Sequence, residues 1–390
     1  MNRDAETVRT YRAAIIGVGM RAIIGLHVAE LRPGSRIAYA VDPTPEGRER
    51  ARSLYGPDVE VFASVDELLG STRPAIAIIT SPDNTHAEVA EPLLMAGVPV
   101  YLEKPMEIGI DSADRLIDAA ESSGSLLYVG HNMRHMSVVT TMQQIIRNGL
   151  IGSVQAVWVR HFVGNGGDYY FHDWHADRSR SGTLLLQKGV HDLDVIHQLA
   201  GAPSEMVQGI GTLAVYGDVQ DRRDNSGRQL SDWESLDNWP ARSVTDLNPV
   251  IDVEDLSMIN LRLTNGVLAS YQQCHFTPDY WRNYTVIGDA GRLENFGDTG
   301  GSTIGVWTRR HDRAASPDLT FTVEDEAVGH SSADRRTMAE FLDGVEGRTD
   351  VSTNPYEARN AVAAAIAGAE SIRTGSRPIS IPPRRPRSGA

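Results

Sequence analysis

The sequence is poor in lysine. Only two occur, Lys104 and Lys188, among 37 basic residues. Arginine does the ordinary surface work, so each lysine marks a place where lysine itself is needed. Arginine stays charged at any working pH, whereas a desolvated lysine, or one set beside another cation, can release its proton and act as an acid or base. Cysteine is scarcer still. Cys274 alone excludes an intrachain disulfide and fits a reducing compartment, so a cytoplasmic location is expected. Positive charge is in deficit. The formal net charge of −14 argues against nucleic acid or an anionic membrane as partner, because no basic face is there to release counterions. No apolar run approaches the roughly 18 residues of a membrane span, and Met1–Arg12 has no apolar core of the secretory kind.

What remains is an ordinary globular chain. Its 390 residues, 41% hydrophobic and 23% charged, suffice for two domains with sizeable cores. Residues 12–19 form a short apolar run ending in glycines. Gly17-x-Gly19-x-x-Ala22 follows, and then a helical pattern through Ile23, Ile24, Leu26, Val28 and Leu31. In this strand–turn–helix setting the glycine fingerprint signals dinucleotide binding. Gly17 permits the tight turn, Gly19 lets backbone approach a pyrophosphate, and Ala22 allows close helix–strand packing. A second strand, residues 37–41, ends in Asp42, where an acid accepts hydrogen bonds from the adenosine ribose. Pro43 and Thr44 follow instead of an arginine, which favours NAD over NADP; Arg48 keeps NADP open.

Strand and helix continue to alternate. A buried strand at 75–80 leads into the loop Ser81-Pro82-Asp83-Asn84-Thr85-His86, at the strand end where a doubly wound sheet binds its ligand. Another strand, 98–102, runs into Glu103-Lys104-Pro105, where proline stops the strand and fixes the backbone that carries Lys104. A helix at 112–122 and a strand at 126–130 follow.

These residues resemble the Gfo/Idh/MocA family of nicotinamide-dependent oxidoreductases. The resemblance rests on Gly17-x-Gly19-x-x-Ala22, Asp42, Ser81-Pro82-x-x-x-His86, Glu103-Lys104-Pro105 and His330-x-x-x-Asp334, and covers roughly residues 12–381. It implies an α/β protein in which a Rossmann domain (1–131) precedes an α/β domain (132–381) with a large, open, mostly antiparallel sheet; residues 382–390 are then a solvated tail. It also implies oxidation or reduction at a carbinol carbon of a sugar, cyclitol or related polyol. By the same resemblance the cofactor contacts are Gly17, Gly19, Met20, Arg21, Ala22, Asp42, Ser81, Pro82, His86, Glu103, Lys104 and Asn132. Arg134, Trp174, His175, Gln187, Lys188 and His191 are placed at the substrate. A homodimer or homotetramer is implied by analogy.

The second half reads as strands at 153–163, 206–216, 256–264, 267–275, 283–288 and 303–309. Asn265-Gly266 is a hairpin signal, and the alternation of Ser257, Ile259, Leu261 and Leu263 with Met258, Asn260 and Arg262 predicts a sheet with one buried face. Helices are expected at 333–345 and 356–374. The polar, acid-rich stretch 218–248, with Trp233 and Trp239, is either a lid or subunit arm over the substrate or a surface excursion.

The stretch from Gln187 to Leu199 suits a helix whose face carries Gln187, Lys188, His191 and Asp194. Many members of the family place an aspartate four residues before the histidine, as a proton-relaying pair. Here that position is Gln187, which cannot ionise, and Asp194 is an alternative partner for His191. Hydride leaves a carbinol carbon as its hydroxyl proton goes to a base, and His191 titrates in the right range without help. The expectation is that Lys104 and His191 both touch the reacting hydroxyl, with Lys188 as second cation. His197 points elsewhere, as a packed histidine. His131-x-x-x-His135 and the run 171–177 imitate metal sites, but no third ligand accompanies them, so no metal is expected. Three readings follow in order: a dehydrogenase; a lyase or glycosidase that oxidises its sugar transiently with NAD; and a non-enzymatic sugar or nucleotide sensor.

Overall fold

The computed structural model describes residues 9–313, 315–323 and 331–384, apart from the side chain of Ser331. His330 lies outside the described residues. The first sheet is built of six parallel strands: β1 (Arg12–Ile16), β2 (Arg36–Val41), β3 (Glu60–Phe62), β4 (Ile76–Ile79), β5 (Val100–Leu102) and β6 (Leu127–Val129), in the order β3-β2-β1-β4-β5-β6. Strands β1 and β4 are continuous apolar runs because helices cover both faces. The order reverses between β1 and β4, and in such sheets the ligand crevice opens at that switch point.

The second sheet has nine strands: β7 (Val154–Phe162), β8 (Ser204–Thr212), β9 (Leu256–Leu263), β10 (Leu268–Cys274), β11 (Trp281–Gly288), β12 (Arg292–Phe296), β13 (Thr303–Trp307), β14 (Leu319–Thr322) and β15 (Ile379–Ser380). Their order is β14-β13-β12-β11-β7-β10-β9-β8-β15; β7 and β10 run parallel and the other neighbours antiparallel. Asn265-Gly266 turns β9 into β10, with Gly266 at φ 87°, a conformation that suits glycine. The six expected strands are present within a few residues. The short strands β3, β12, β14 and β15 carry too little alternation to be read in advance.

One face of this sheet is buried by the helices Gly189–Ala200 and Pro355–Arg373. The second of these begins with Asn354 accepting from the Glu357 amide at 3.0 Å and Pro355 in its first turn, a regular helix start. Its small residues let it sit close: a Cβ on Gly368 would lie 2.8 Å from Leu185. The other face is open and carries Trp158, Ile210, Met258 and Leu268.

The helix Ser331–Val345 packs back on the first sheet. Met338, Phe341 and Leu342 share a core with Tyr101 and Tyr128. Around that core Arg32 holds Asp343 at 2.6 Å and Glu346 at 2.9 Å. The stretch expected as a solvated tail from residue 382 is held at its last described residue. Arg384 pairs with Asp118 at 2.5 Å and Glu121 at 3.1 Å and lies over Tyr356, because a guanidinium near two helix carboxylates and a phenol ring finds better partners there than in water. Among the described residues no helix is long and apolar enough to cross a membrane.

Candidate active site

Three loops at the carboxyl ends of β1, β4 and β5 form one side of the site. In the first, Gly17 turns the chain at φ 82°, and a Cβ there would lie 2.6 Å from the Ser81 backbone. The site thus requires glycine both for conformation and for space. A Cβ at Gly19 would meet nothing within 4 Å, so the chain here borders open space, as a pyrophosphate cradle must. The helix expected after the glycines starts as a 3-10 turn, Met20–Gly25, before the α-helix Leu26–Leu31. The Tyr55 hydroxyl donates to the Ala22 carbonyl, occupying the acceptor an α-turn would use. Met20 is exposed at this corner. Asp42 accepts from the Val18 amide at 2.9 Å and the Thr44 hydroxyl at 2.6 Å, which sets its carboxylate against the glycine turn. Arg48 donates to the Asp42 carbonyl at 2.7 Å.

The second and third loops are tied together by His86. Its ring faces the Pro105 carbonyl at 2.9 Å and the Ser81 carbonyl at 3.0 Å, and it is fully buried. His86 therefore clamps Ser81-Pro82 to the cis Lys104-Pro105 turn. Arg21 reaches Glu103 at 2.5 Å and Asp334 at 2.8 Å; Asn132 donates to the same Asp334 at 2.7 Å. Arg21, Glu103 and Asn132 thus join the glycine turn to the helix that begins at Ser331.

Lys104 points across the cleft. Its Nζ donates to the Gln187 carbonyl at 3.2 Å. Burial pushes its pKa down, and Asp83 and Glu103 oppose that. The helix expected from Gln187 starts two residues later: Leu184–Gln187 forms a separate turn and Gly189–Ala200 the helix, with Lys188 between them. Lys188 lies over the Tyr170 ring, 6.0 Å from its centroid. Burial, then Arg282 and Lys104, lower its pKa to about 7. His191 is buried in the first turn of the second helix. Tyr170 also meets His175 and His275 edge-on at 5.6 Å and 5.3 Å, and Trp174 stacks on His175 at 3.8 Å. Tyr170, Trp174 and His175 make an aromatic wall beside Lys188.

Asp194 does not orient His191. Its carboxylate takes both arms of Arg134, at 2.5 Å and 2.7 Å. A guanidinium fork with two good bonds outcompetes an imperfect i,i+3 contact. Arg134, expected at the substrate, also binds Glu357 at 2.5 Å and is buried, so it links two helices. His197 is packed as expected, its Nε2 against the Ser204 hydroxyl at 2.8 Å. The metal-like pairs do not converge. His131 lies 3.8 Å from Asp194, and His135 binds Glu340 at 3.1 Å; His172 faces the carbonyls of Gly167 and Thr245.

Several residues of this region escaped the sequence reading. Asp192 is fully buried and holds Arg282 and His161, each at 3.1 Å, and accepts from the Tyr284 hydroxyl. Burial alone would raise its pKa, but Arg282 and His161 hold it well below the usual carboxylate range. Asp83 is buried beside Lys104. Residues 218–248 are pinned rather than free: Trp233 stacks on His172 at 5.2 Å and donates to the Asp168 carbonyl at 2.8 Å, while Asn238 donates to the Asp168 carboxylate at 2.6 Å. Trp233 is a staple for this segment, and Trp239 stays half-exposed.

Residues 11–131 match the sequence model of an oxidoreductase family's NAD-binding Rossmann fold, and residues 143–381 match that of its C-terminal α/β domain. An inositol 2-dehydrogenase of Ralstonia nicotianae is 28% identical over 196 residues, 49% of this chain and 55% of that protein. A 2,7-anhydro-N-acetylneuraminate hydratase of Mediterraneibacter gnavus is 26% identical over 250 residues, 61% of this chain and 65% of that protein. The chain thus spans between half and two thirds of these relatives. A solved levoglucosan dehydrogenase, in complex with NADH and levoglucosan, superposes with a TM-score of 0.77 over 96% of this chain and 100% of that one, at 16% identity. At that identity the likeness concerns the fold.

Proposed function

The chain belongs to the Gfo/Idh/MocA oxidoreductase family, and from that premise we propose that it transfers hydride between NAD and a carbinol carbon of a sugar, cyclitol or glycoside. One observation carries the reading. The chain's only two lysines are both half-buried and within electrostatic reach of each other, one from each domain, and Lys104 bonds the segment that leads to His191. When bound, the nicotinamide supplies the hydride acceptor. Gly17, Gly19 and Asp42 hold the dinucleotide, and the engagement of Arg48 by the Asp42 carbonyl favours NAD over NADP. Lys104, with a pKa lowered by burial, takes the hydroxyl proton together with His191. Lys188 and the wall of Tyr170, Trp174 and His175 bind neighbouring hydroxyls and the apolar sugar face. The assembly we propose is a homodimer or homotetramer through the open sheet face.

A second reading is kept because one relative is a hydratase. There, oxidation is transient and the cofactor is regenerated within each turnover.

The test is a screen of the purified protein with NAD, and separately NADP, against sugars, cyclitols and glycosides. Multiple-turnover production of reduced cofactor is expected. Conversion of substrate without net reduction moves the protein to the second reading, and binding without conversion makes it a sensor. Lys104→Ala is expected to lower kcat by ~10²-fold or more while NAD affinity is kept, since a positioned acid–base group contributes about that much. Full turnover by this variant refutes the mechanism.

A further inference from the structure

Two imidazoles meet the Tyr170 ring edge-on, and one of them is placed to reach a ligand. His275 is fully buried. His175 sits on the short turn Trp174–Ala176 with 16% of its side chain exposed. Its Nδ1 is hydrogen-bonded to the Asp173 carboxylate, whose Oδ1 also accepts the His175 amide at 3.1 Å. Among the described residues its Nε2 has no protein partner, and solvent reaches that atom. The ring itself is clamped. Trp174 stacks on it at 3.8 Å with an interplanar angle of 24°, and Tyr170 stands at 88° to it, 5.6 Å away. Ser181 fixes the backbone by donating to the His175 carbonyl at 2.9 Å. The turn also lies at the site. It packs on Leu184–Gln187, whose last carbonyl binds Lys104, and on Arg178–Ser181, which packs in turn on Asp83–Thr85 after β4. Lys188 lies over the same Tyr170 ring. A ring nitrogen held this firmly and left open is a preformed contact for a ligand.

We propose that Asp173 and His175 together set substrate specificity. Asp173 is a positioning residue that fixes which nitrogen of His175 carries the proton, and Nε2 accepts a hydrogen bond from a free substrate hydroxyl. The proposal rests on the reading of the site as one for polyols. Lys104 and His191 are assigned to the reacting hydroxyl, so the hydroxyl read by His175 is a second one. An ionised carboxylate only accepts. Burial alone would raise the Asp173 carboxyl, but His175 holds it below its ordinary value, so Nδ1 carries the proton and donates. In the neutral ring Nε2 then has a lone pair and no hydrogen. It takes an O–H and offers nothing to an ether or a carbonyl. A ring flip does not help a wrong ligand, because it breaks the bond to Asp173 inside the clamp of Trp174 and Tyr170. The substrate class that follows is a neutral sugar or cyclitol with an unsubstituted hydroxyl at this position. Deoxy and O-methyl forms lose the bond, and a phosphate there faces a lone pair backed by a carboxylate.

The test uses the full-length protein with 15N in its histidines, the His175 signals being those lost in His175→Phe. The neutral ring of the wild type is expected to carry its proton on Nδ1. Asp173→Asn is expected to move part of the population to Nε2, because an amide can donate to Nδ1 where a carboxylate cannot. Neither measurement needs a substrate. With NAD and a polyol that the protein oxidises, the parent is then compared with its singly deoxygenated analogues. One deoxy position is expected to raise KM by ~10-fold with kcat little changed, the mark of a hydrogen bond made equally in ground and transition states. His175→Phe, which keeps a ring in the stack, is expected to raise KM for the parent by a similar factor and to erase that discrimination. Asp173→Asn raises KM in the same sense, and Asp173→Glu recovers part of it. A neutral ring protonated at Nε2 overturns the proposal. So does discrimination among the deoxy analogues that survives His175→Phe unchanged, which leaves His175 a packing residue. Should Asp173→Asn misfold, the wild-type ring and His175→Phe decide the matter. If the wild type binds polyols with NAD but oxidises none, the dehydrogenase reading fails and the same comparison is made on dissociation constants; if it binds none, this proposal falls as well.

Discussion

Lys188 is a residue whose surroundings change its chemistry. It is half-buried against Tyr170 with Arg282 and Lys104 as neighbouring cations, and its pKa falls to about 7. A lysine so placed is ammonium below that point and a free amine above it, so its charge changes within the working range instead of far above it. The expected outcome is direct. Protein carrying 13C at the lysine ε-carbon gives two signals, and that of Lys188 titrates near neutrality. Replacing Arg282 with Met removes a cation from the neighbourhood, so the Lys188 midpoint moves up, toward the ordinary lysine value. A Lys188 signal that titrates only in the alkaline range shows that solvent reaches this lysine freely.

At the scale of elements, the helix Gly189–Ala200 is the joint of the molecule, because nearly all of its residues are buried. One side carries Asp194 to Arg134. The other carries Asp192 to Arg282 and His161 on the second sheet. Arg282→Met keeps much of the side-chain volume and leaves Asp192 as an unpaired buried charge. A loss of about 3–5 kcal/mol in denaturant unfolding is expected. The double variant Asp192→Asn with Arg282→Met loses less, because the uncompensated charge is gone. Equal losses in the two variants mean that the charge left on Asp192 is not what costs stability. The same element shows what the sequence could tell. Gly17, Gly19, Ala22, Asp42 and Glu103-Lys104-Pro105 were legible because their meaning lies within a strand, a turn and a helix adjacent in sequence. The helix carrying His191 was legible from its periodicity. The duties of Asp192 and Asp194 were not, because their arginines come from distant segments and only the fold brings them together. Asp83 was quoted within its loop but given no role, since burial without a donor is a property of three-dimensional packing. Arg282 falls one residue before the strand expected at 283–288; the structure has it inside β11 and fully buried.

For the whole molecule, the open face of the second sheet sets the next expectation. Trp158, Ile210, Met258 and Leu268 are 53%, 58%, 39% and 57% exposed. Cross-strand register places them on the same face, since Trp158 pairs with Ser270, Gln272 with Met258, and Met258 with Ile210. Arginines, glutamines and Asn260 separate them, a mixture closer to an interface than to a core. A stable contact uses roughly 800 Å² per partner, and exposed apolar side chains gathered on one sheet face within a polar surround suit such a contact. The protein is therefore expected to run as a dimer or tetramer in light scattering, and Trp158→Arg with Leu268→Arg to run as a monomer. Because the helix Gly189–Ala200 packs on the opposite face, the double variant should still bind NAD with unchanged affinity. A wild type that is monomeric at every concentration removes the assembly. A variant that stays oligomeric moves the contact elsewhere on the surface. A monomer that binds NAD but has lost turnover means that the site needs its neighbour, and the pinned segment with its half-exposed Trp239 is then the first place to look for a residue acting between subunits.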